Sequence, residues 1–164
     1  MMNAIMYVED TDMFMTGKSH ESPKSLQDKT QQLVSKWCNM LRITGGALRP
    51  EKCWWYLLTF QWDHDGNWKY TSIKDSPATI SIPDYKLKEH IIKRHEPNIG
   101  NKGLGVYLAP DGNNTEEFEY LEKNILAWCE KIATSVLSPS AAYLGLCSTI
   151  MATIRYPLAA TNFT

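Results

Sequence analysis

The sequence predicts an α+β protein in which short antiparallel strands come first and helices follow. Up to about residue 112, apolar and aromatic runs alternate with turn-forming residues, a pattern typical of strands joined in hairpins. One long helical stretch interrupts them, and from Thr115 the apolar residues recur at the spacing of an amphipathic helix. These observations divide the 164 residues into a strand-rich part, 1–112, and a helical part, 113–164.

The first predicted hairpin lies at the amino end of the chain. Apolar residues around positions 2–8 and 13–15 flank the acidic run Glu9-Asp10-Thr11-Asp12, so the carboxylates are expected at the bend. A second hairpin is predicted at Asp65-Gly66, because this dipeptide between two aromatic-rich runs is a strong turn signal. The strands predicted after the first hairpin cover residues 53–62, 68–73, 78–82, 87–92 and 104–109.

Two long helices are predicted from apolar periodicity. The first has Ser22 as its cap and Pro23 in its first turn, and it ends at Thr44-Gly45-Gly46, because glycine adopts the left-handed conformation of helix ends. The second begins at Thr115, with two glutamates, Glu116 and Glu117, at the end of the helix dipole that favours them. The apolar residues at helical spacing are Leu26, Leu33, Trp37, Met40 and Leu41 in the first helix and Phe118, Leu121, Ile125, Trp128, Ile132 and Val136 in the second.

A third helix is predicted after Pro139, from Ala141 to about Tyr156. The stretch up to Ala160 is the most apolar of the chain, but it contains Arg155, two tyrosines and a proline. This composition favours a buried helix over a membrane span.

Composition and charge exclude several classes of protein. The chain is 43% hydrophobic and 21% charged, which is ordinary for a globular domain, and its net charge of -1 gives no general attraction to nucleic acid. The scattered cysteines lack zinc-site spacing and are interpreted as buried free thiols. Because free thiols suit a reducing compartment, and no leader pattern stands at the amino end, we expect an intracellular protein, cytoplasmic or nuclear, without contact to a membrane. The cysteines are Cys38, Cys53, Cys129 and Cys147.

The acidic run in the first hairpin has the residue types that phosphoryl transfer requires. In that reaction two divalent cations bind the attacking and leaving oxygens. Mg²⁺ prefers hard oxygen ligands. The strands of a hairpin fix the direction of carboxylates at its bend, while the turn leaves them accessible to substrate. Taken alone, Tyr7-Val8-Glu9-Asp10 also fits a solvated hairpin tip.

Four blocks follow one another along nearly the whole chain, and together they resemble a known family. Their order resembles the segment of non-LTR, LINE-like retroelement reverse transcriptases that runs from the third catalytic motif of the palm into the thumb. The blocks are Tyr7-Val8-Glu9-Asp10-Thr11-Asp12; the helix 23–43 with the glycine turn 44–53 that contains Lys52; Gly103-Leu104-Gly105-Val106; and Trp128 with Leu137-Ser138-Pro139 and Ile154-Arg155-Tyr156.

The resemblance implies a fold, an activity and a set of site residues. The fold would be a partial polymerase palm, with antiparallel strands and one long helix, followed by a helical thumb. The activity would be that of an RNA-directed DNA polymerase, a nucleotidyltransferase of a retrotransposon, acting on an RNA template and a DNA primer. Glu9 and Asp10 would bind Mg²⁺, and Lys52 would approach the triphosphate as a general acid. Tyr7, Leu104 and Gly105 would contact nucleic acid.

Two departures from the family pattern limit the expected activity. Glu9 stands where the family has an invariant aspartate, and its extra methylene moves the carboxylate by about 1 Å, a displacement that costs about a hundredfold in rate. The family's other metal-binding aspartate belongs to a motif upstream of the residues present here. We therefore expect a fragment that does not copy a template alone, and the alternative is a non-catalytic nucleic-acid or protein interaction module. Residues 63–101 are not assigned by the resemblance.

Three further groups of residues each have a simpler alternative. Lys93 and Arg94 are candidates for phosphate contacts, and the alternative is a solvated basic face. Lys52 is equally a solvated strand-edge lysine. The tryptophans and Tyr56 between Cys53 and Trp68 would stack on bases if exposed, but their alternation favours a place in the core. The basic stretch consists of Lys86, Lys88, Lys93, Arg94 and Lys102, set against Glu89 and Glu96.

Overall fold

The protein is mixed α+β, as the sequence predicts. The computed structural model describes residues 2–7, 10–18, 20–103 and 105–161, and for residues 2–7 and 10 it describes the backbone alone. The chain forms two compact units, Met1–Glu96 and Pro97–Thr164. The strand pair within residues 101–108, which the sequence grouped with the front part, lies in the second unit, because it packs against the helix that follows it.

The predicted amino-terminal hairpin is confirmed. Strands β1 (Met2–Tyr7) and β2 (Asp10–Met15) pair antiparallel, from Met2 opposite Met15 to Tyr7 opposite Asp10. The second strand was expected to begin at Met13 but begins at Asp10, so Asp10 lies in a strand and not in the bend. The physical reason is a period-two pattern, in which Asp12 and Phe14 are exposed and their neighbours are half-buried.

Helix α1 (Pro23–Ile43) begins and ends where predicted. Ser22 Oγ accepts a hydrogen bond from the Ser25 N–H at 3.2 Å, and Gly45 has a φ of +82° just after the helix. The buried face differs from the predicted stripe, since Val34 and Cys38 are buried whereas Met40 is exposed.

A three-stranded sheet packs against this helix. It consists of β3 (Trp54–Trp55), β6 (Ile80–Pro83) and β7 (Glu89–Arg94), in the order β3-β7-β6. β7 is antiparallel to β6 and parallel to β3. Gln31 of α1 hydrogen-bonds both the N–H and the carbonyl of Ser81, at 2.8 and 2.9 Å. The core between helix and sheet consists of Val34, Cys38, Ile80, Ile82 and Ile92.

The Asp65-Gly66 hairpin is confirmed as β4 (Phe60–Trp62) and β5 (Trp68–Tyr70). Asp63 closes its turn by accepting hydrogen bonds from the N–H groups of Asp65 and Asn67, at 3.0 and 2.8 Å. The expectation that the tryptophans of this hairpin lie in the core is wrong, because Trp62 and Trp68 are exposed.

The second unit combines one hairpin with helices. Strands β8 (Asn101–Gly103) and β9 (Val106–Leu108) precede α2 (Thr115–Ala133). Ser138 caps α3 (Pro139–Gly145), a π-helical turn follows, and after α4 (Met151–Arg155) comes a 3-10 turn, Pro157–Ala159. The predicted buried helix is largely exposed, with only Ile150 buried among its described residues. Among the described residues, no helix combines the length and hydrophobicity that crossing a membrane requires.

The four cysteines are free thiols, as the sequence predicts, but their burial differs. Cys38 is buried and Cys53 is half-buried, and burial raises the pKa of both thiols. Cys129 of α2 and Cys147 of the π-helical turn are exposed.

Glu21 is expected to give the first unit an acid-sensitive contact. The carboxylate accepts hydrogen bonds from the Lys29 ammonium, the Lys18 N–H and the Ser25 hydroxyl, and these lower the pKa of Glu21 from 4.5 to about 2. Since the folded pKa lies below the unfolded one, this contribution to stability is present above pH 4.5 and is lost as the pH falls through about 2. In urea unfolding, Glu21→Gln should have a lower free energy of unfolding than the parent chain, and this difference should become smaller as the pH is lowered. A difference independent of pH would contradict this role.

Candidate functional site

The backbone of the first hairpin brings the ends of the Tyr7-to-Asp10 motif together. Tyr7 is the last residue of β1 and stands directly opposite Asp10, the first residue of β2. Val8 and Glu9 connect them and lie outside the described residues, as does the Asp10 side chain. In the part of the chain that the structure describes, no three His, Cys, Asp or Glu side chains form a group able to hold a metal ion.

Lys52 and Lys93 lie on neighbouring elements of the first unit. Lys52 ends a short 3-10 turn, Pro50–Lys52, and its side chain is exposed. Two residues later Trp54 begins β3, and its register partner on β7 is Lys93, which is also exposed. The parallel pairing of β3 with β7 therefore places these two predicted site residues at the same end of the sheet.

Arg94 is held differently from Lys93. Its guanidinium donates to the Ser76 carbonyl, and its central carbon lies 5.5 Å from the centre of the Trp55 ring. Burial lowers the pKa of Arg94. Successive residues of a strand point to opposite faces. Lys93 is therefore directed to solvent, whereas Arg94 contacts the Ser76 carbonyl and the Trp55 ring.

The remaining members of the basic stretch are dispersed. Lys86 lies over the Tyr85 ring at 5.3 Å, and Lys102 belongs to the second unit. Within the described residues, the two histidines of this region belong to no group of three or more side chains able to hold a metal ion. His90 Nε2 lies 3.0 Å from Asp84 Oδ2, and burial lowers the pKa of His95.

A second group of polar side chains surrounds Gly105 in the second unit. Leu104 lies outside the described residues, and Gly105 has a φ of +89°, a conformation that suits glycine. A Cβ at this position would lie 3.4 Å from the Tyr156 ring. Lys102, Gly105 and Pro157, together with residues of α2 and α4, line an open cleft of about 390 Å³. Its polar lining consists of Lys102, Glu117, Tyr120, Thr153 and Tyr156.

Lys102 and Tyr120 interact across this cleft. The Lys102 ammonium lies 4.0 Å from the centre of the Tyr120 ring. Their hydrogen bond raises the pKa of Lys102 and lowers that of Tyr120. Tyr120 was not predicted as a site residue, and Lys102 was predicted only as a member of the basic stretch, because the sequence gives no sign that β8 and α2 come together.

Glu117 has a structural role that sequence reasoning missed. It was predicted to interact with the helix dipole at the start of α2, yet its side chain is only 1% exposed. Its carboxylate accepts a hydrogen bond of 2.7 Å from the Tyr107 N–H. A buried carboxylate is stabilised by such a bond, so Glu117 fastens β9 to α2 and thereby shapes the cleft.

The fold and these sites define a small α+β protein with two compact units and an acidic amino-terminal hairpin. No protein-family model, curated protein or solved structure matches this chain.

Proposed function

We propose that the chain is a fragment of the RNA-directed DNA polymerase of a retrotransposon, combining the last part of the palm with the beginning of the thumb. The observation that carries this proposal is the register of the first hairpin, in which Tyr7 stands opposite Asp10. The backbones of Tyr7 and Asp10 are thereby next to each other in the paired strands. In the family that the sequence resembles, the palm carries its metal-binding carboxylates in a hairpin that follows an aromatic residue.

The order of the other elements supports the same proposal. A 21-residue helix follows the hairpin, then a glycine turn with Lys52, a hairpin containing Gly105, and a helix carrying Trp128. The fourth block extends from α2, which carries Trp128, through the Ser138 cap of α3 to Ile154 and Arg155 on α4. The fragment is proposed to be inactive alone, since the upstream motif supplies the second half of the metal site.

In the proposed complete enzyme, Mg²⁺ would stabilise the charge that develops on the transferred phosphoryl group. Glu9 and Asp10 would supply hard anionic oxygen ligands for it. Lys52, exposed at the end of its 3-10 turn, would donate a proton to the departing pyrophosphate. Lys93, at the same end of the sheet, would add positive charge near the nucleic-acid backbone.

The proposal is tested by joining the chain to the upstream palm segment of a LINE-like reverse transcriptase. The fusion should extend a DNA primer on an RNA template when Mg²⁺ is added. The upstream segment alone is the negative control, and the same segment with its own palm and thumb is the positive control. A folded fusion that lacks activity where the positive control is active would refute the proposal.

A second candidate function is nucleic-acid binding without catalysis, favoured by the exposure of Lys52 and Lys93 on neighbouring elements. A labelled RNA–DNA duplex should then bind the chain at low salt and dissociate as salt is raised, because phosphate contacts release counterions. The double variant Lys52→Ala/Lys93→Ala should weaken binding, whereas Lys24→Ala/Lys74→Ala serves as the charge-matched control. An equal loss of duplex affinity in the two double variants would contradict a binding surface at Lys52 and Lys93.

A further inference from the structure

The hairpin of β4 and β5 presents four aromatic side chains on one side. Phe60 pairs with Tyr70 and Trp62 pairs with Trp68, and residues opposite one another in an antiparallel pair share a face. Phe60 lies 5.3 Å from Trp68 and 5.2 Å from Tyr70, measured between ring centres. The hairpin thus has one side made of rings, which we call the aromatic face: Phe60, Trp62, Trp68 and Tyr70.

The aromatic face is largely open to solvent. Trp62 is 70% exposed, and Phe60 and Trp68 are each 53% exposed. Contiguous apolar surface of this kind in a folded protein marks an interaction site more often than isolated exposed residues do. Trp62 and Trp68, which were predicted to lie in the core, therefore form part of an exposed surface suited to binding a partner.

The geometry of the aromatic face is fixed before any partner binds. Asp63 accepts hydrogen bonds from two backbone N–H groups and from the Asn67 amide at 3.1 Å, which holds the turn closed. These bonds lower the pKa of Asp63, so its carboxylate is charged at neutral pH. Edge-to-face packing of Trp68 against Phe60 and Tyr70 fixes the rings themselves. Binding would therefore require little ordering of the hairpin.

The charges around the aromatic face are complementary to a cation. Elsewhere in the described chain, rings such as those of Trp55 and Tyr120 are covered by the chain's own cations. For Phe60, Trp62 and Trp68, the described residues provide no such cation. Two carboxylates, Asp63 and Asp65, stand in the turn beside the Trp62–Trp68 pair, and neither forms an ion pair within the described chain. The rings and the carboxylates both attract positive charge.

We propose that the aromatic face binds an arginine-bearing peptide segment of another protein, with a guanidinium group stacked on Trp62 or Trp68 and paired with the Asp65 carboxylate. Arginine fits better than lysine, because its planar group stacks on a ring while its N–H groups remain directed at a carboxylate. A neutral apolar peptide would leave the Asp65 carboxylate without an ion-pair partner.

The same charges disfavour a single-stranded nucleic acid on this face. Base stacking on aromatic side chains is accompanied in such sites by cations along the phosphate path. Within the two strands the only cation is Lys69, whose register partner is Gln61, so it lies on the opposite side of the hairpin. Phosphates beside Trp62 and Trp68 would instead meet Asp63 and Asp65.

The test uses the ¹⁵N-labelled chain and the indole N–H signals of its six tryptophans. A nine-residue synthetic peptide of alternating arginine and glycine is titrated against it. The signals of Trp62 and Trp68 should move, and that of Trp128, which lies under the chain's own Lys131, should stay in place. The citrulline version of the peptide, which has nearly the same shape but no charge, should bind at least tenfold more weakly.

Variants separate the two parts of the proposed contact. Trp62→Ser should weaken binding at least tenfold, and Asp65→Asn should weaken it several-fold and reduce its salt dependence. Lys69→Gln, on the opposite side, is the control and should leave binding unchanged. If Trp62→Ser does not fold, Asp65→Asn still decides the matter, because Asp65 is exposed at the turn. Equal binding of the arginine and citrulline peptides, no shift of Trp62 and Trp68, or tighter binding of oligouridylate would each overturn the proposal.

Discussion

Asp10→Asn is expected to reduce primer extension by more than about a hundredfold in the fusion of this chain with an upstream palm segment. Asparagine keeps the shape of the side chain but removes the anionic oxygen that Mg²⁺ prefers. Misplacing a reacting group by about 1 Å already costs about a hundredfold, and removing a ligand is at least as severe. The initial rate of nucleotide incorporation is measured for both fusions at saturating Mg²⁺ and normalised to folded protein. The predicted quantity is the ratio of the unsubstituted rate to the Asp10→Asn rate.

Two companion variants make this prediction specific. Asp12→Asn removes a negative charge from an exposed position two residues further along β2, and we expect little change in rate. Glu9→Asp restores the residue that the resembled family has at this position and should raise the rate by up to about a hundredfold. An unchanged rate in Asp10→Asn would remove the metal-binding role from the hairpin, whatever the other two variants do.

Ile80→Ala is expected to lower the free energy of unfolding by about 3 kcal/mol. Ile80 is 1% exposed and belongs to the core cluster between α1 and the three-stranded sheet. Truncation removes buried apolar surface and leaves a cavity that Ile82, Ile92 and the helix fill only in part. Urea unfolding of the variant and the parent chain gives the difference.

Ile91→Ala is the matched control for this change. Ile91 occupies the neighbouring position to Ile92 on β7 but is 73% exposed, because it points to the other face of the sheet. The same substitution there should change the free energy of unfolding by less than about 0.5 kcal/mol. Similar losses at the two positions would contradict the assignment of the core to one face of β6 and β7.

Elements determined by nearby residues were predictable from the sequence. Helix α1 was bounded correctly because Ser22, Pro23 and Gly45 act within one helical turn of its ends. The Asp65-Gly66 hairpin was predicted because its turn is closed by contacts no more than four residues apart. In these places local conformational preference and the final structure agree.

Features that depend on distant residues were not predictable. The parallel pairing of Trp54 with Lys93 has no local signal, so the neighbourhood of Lys52 and Lys93 emerged only from the structure. The burial of Glu117 depends on the Tyr107 N–H of a preceding strand, whereas its position in the first helical turn indicated only an interaction with the helix dipole. The exposure of Trp62 and Trp68 was likewise not predictable from nearby residues. Alternation in a strand indicates that it has two faces, but not which face other elements cover.

In the candidate site, too, the features determined by nearby residues were predictable and the others were not. The hairpin that carries Asp10 was recognised from its residues, although β2 begins earlier than expected. Lys93 and Arg94, predicted together as phosphate contacts, have different environments, since one is exposed and the other is packed on Trp55. Neighbouring residues of one charge are equivalent in a sequence but have opposite orientations in a strand.

The parallel pairing of β3 with β7 also bears on the order in which the first unit folds. Trp54 and Lys93 are 39 residues apart, whereas Pro83 and Glu89, paired in the β6–β7 hairpin, are only 6 apart. The longer closure costs about 1.7 kcal/mol more in chain entropy. The β6–β7 hairpin is therefore expected to assemble on α1 first, with β3 joining late, so that the neighbourhood of Lys52 and Lys93 is among the last parts of this unit to form.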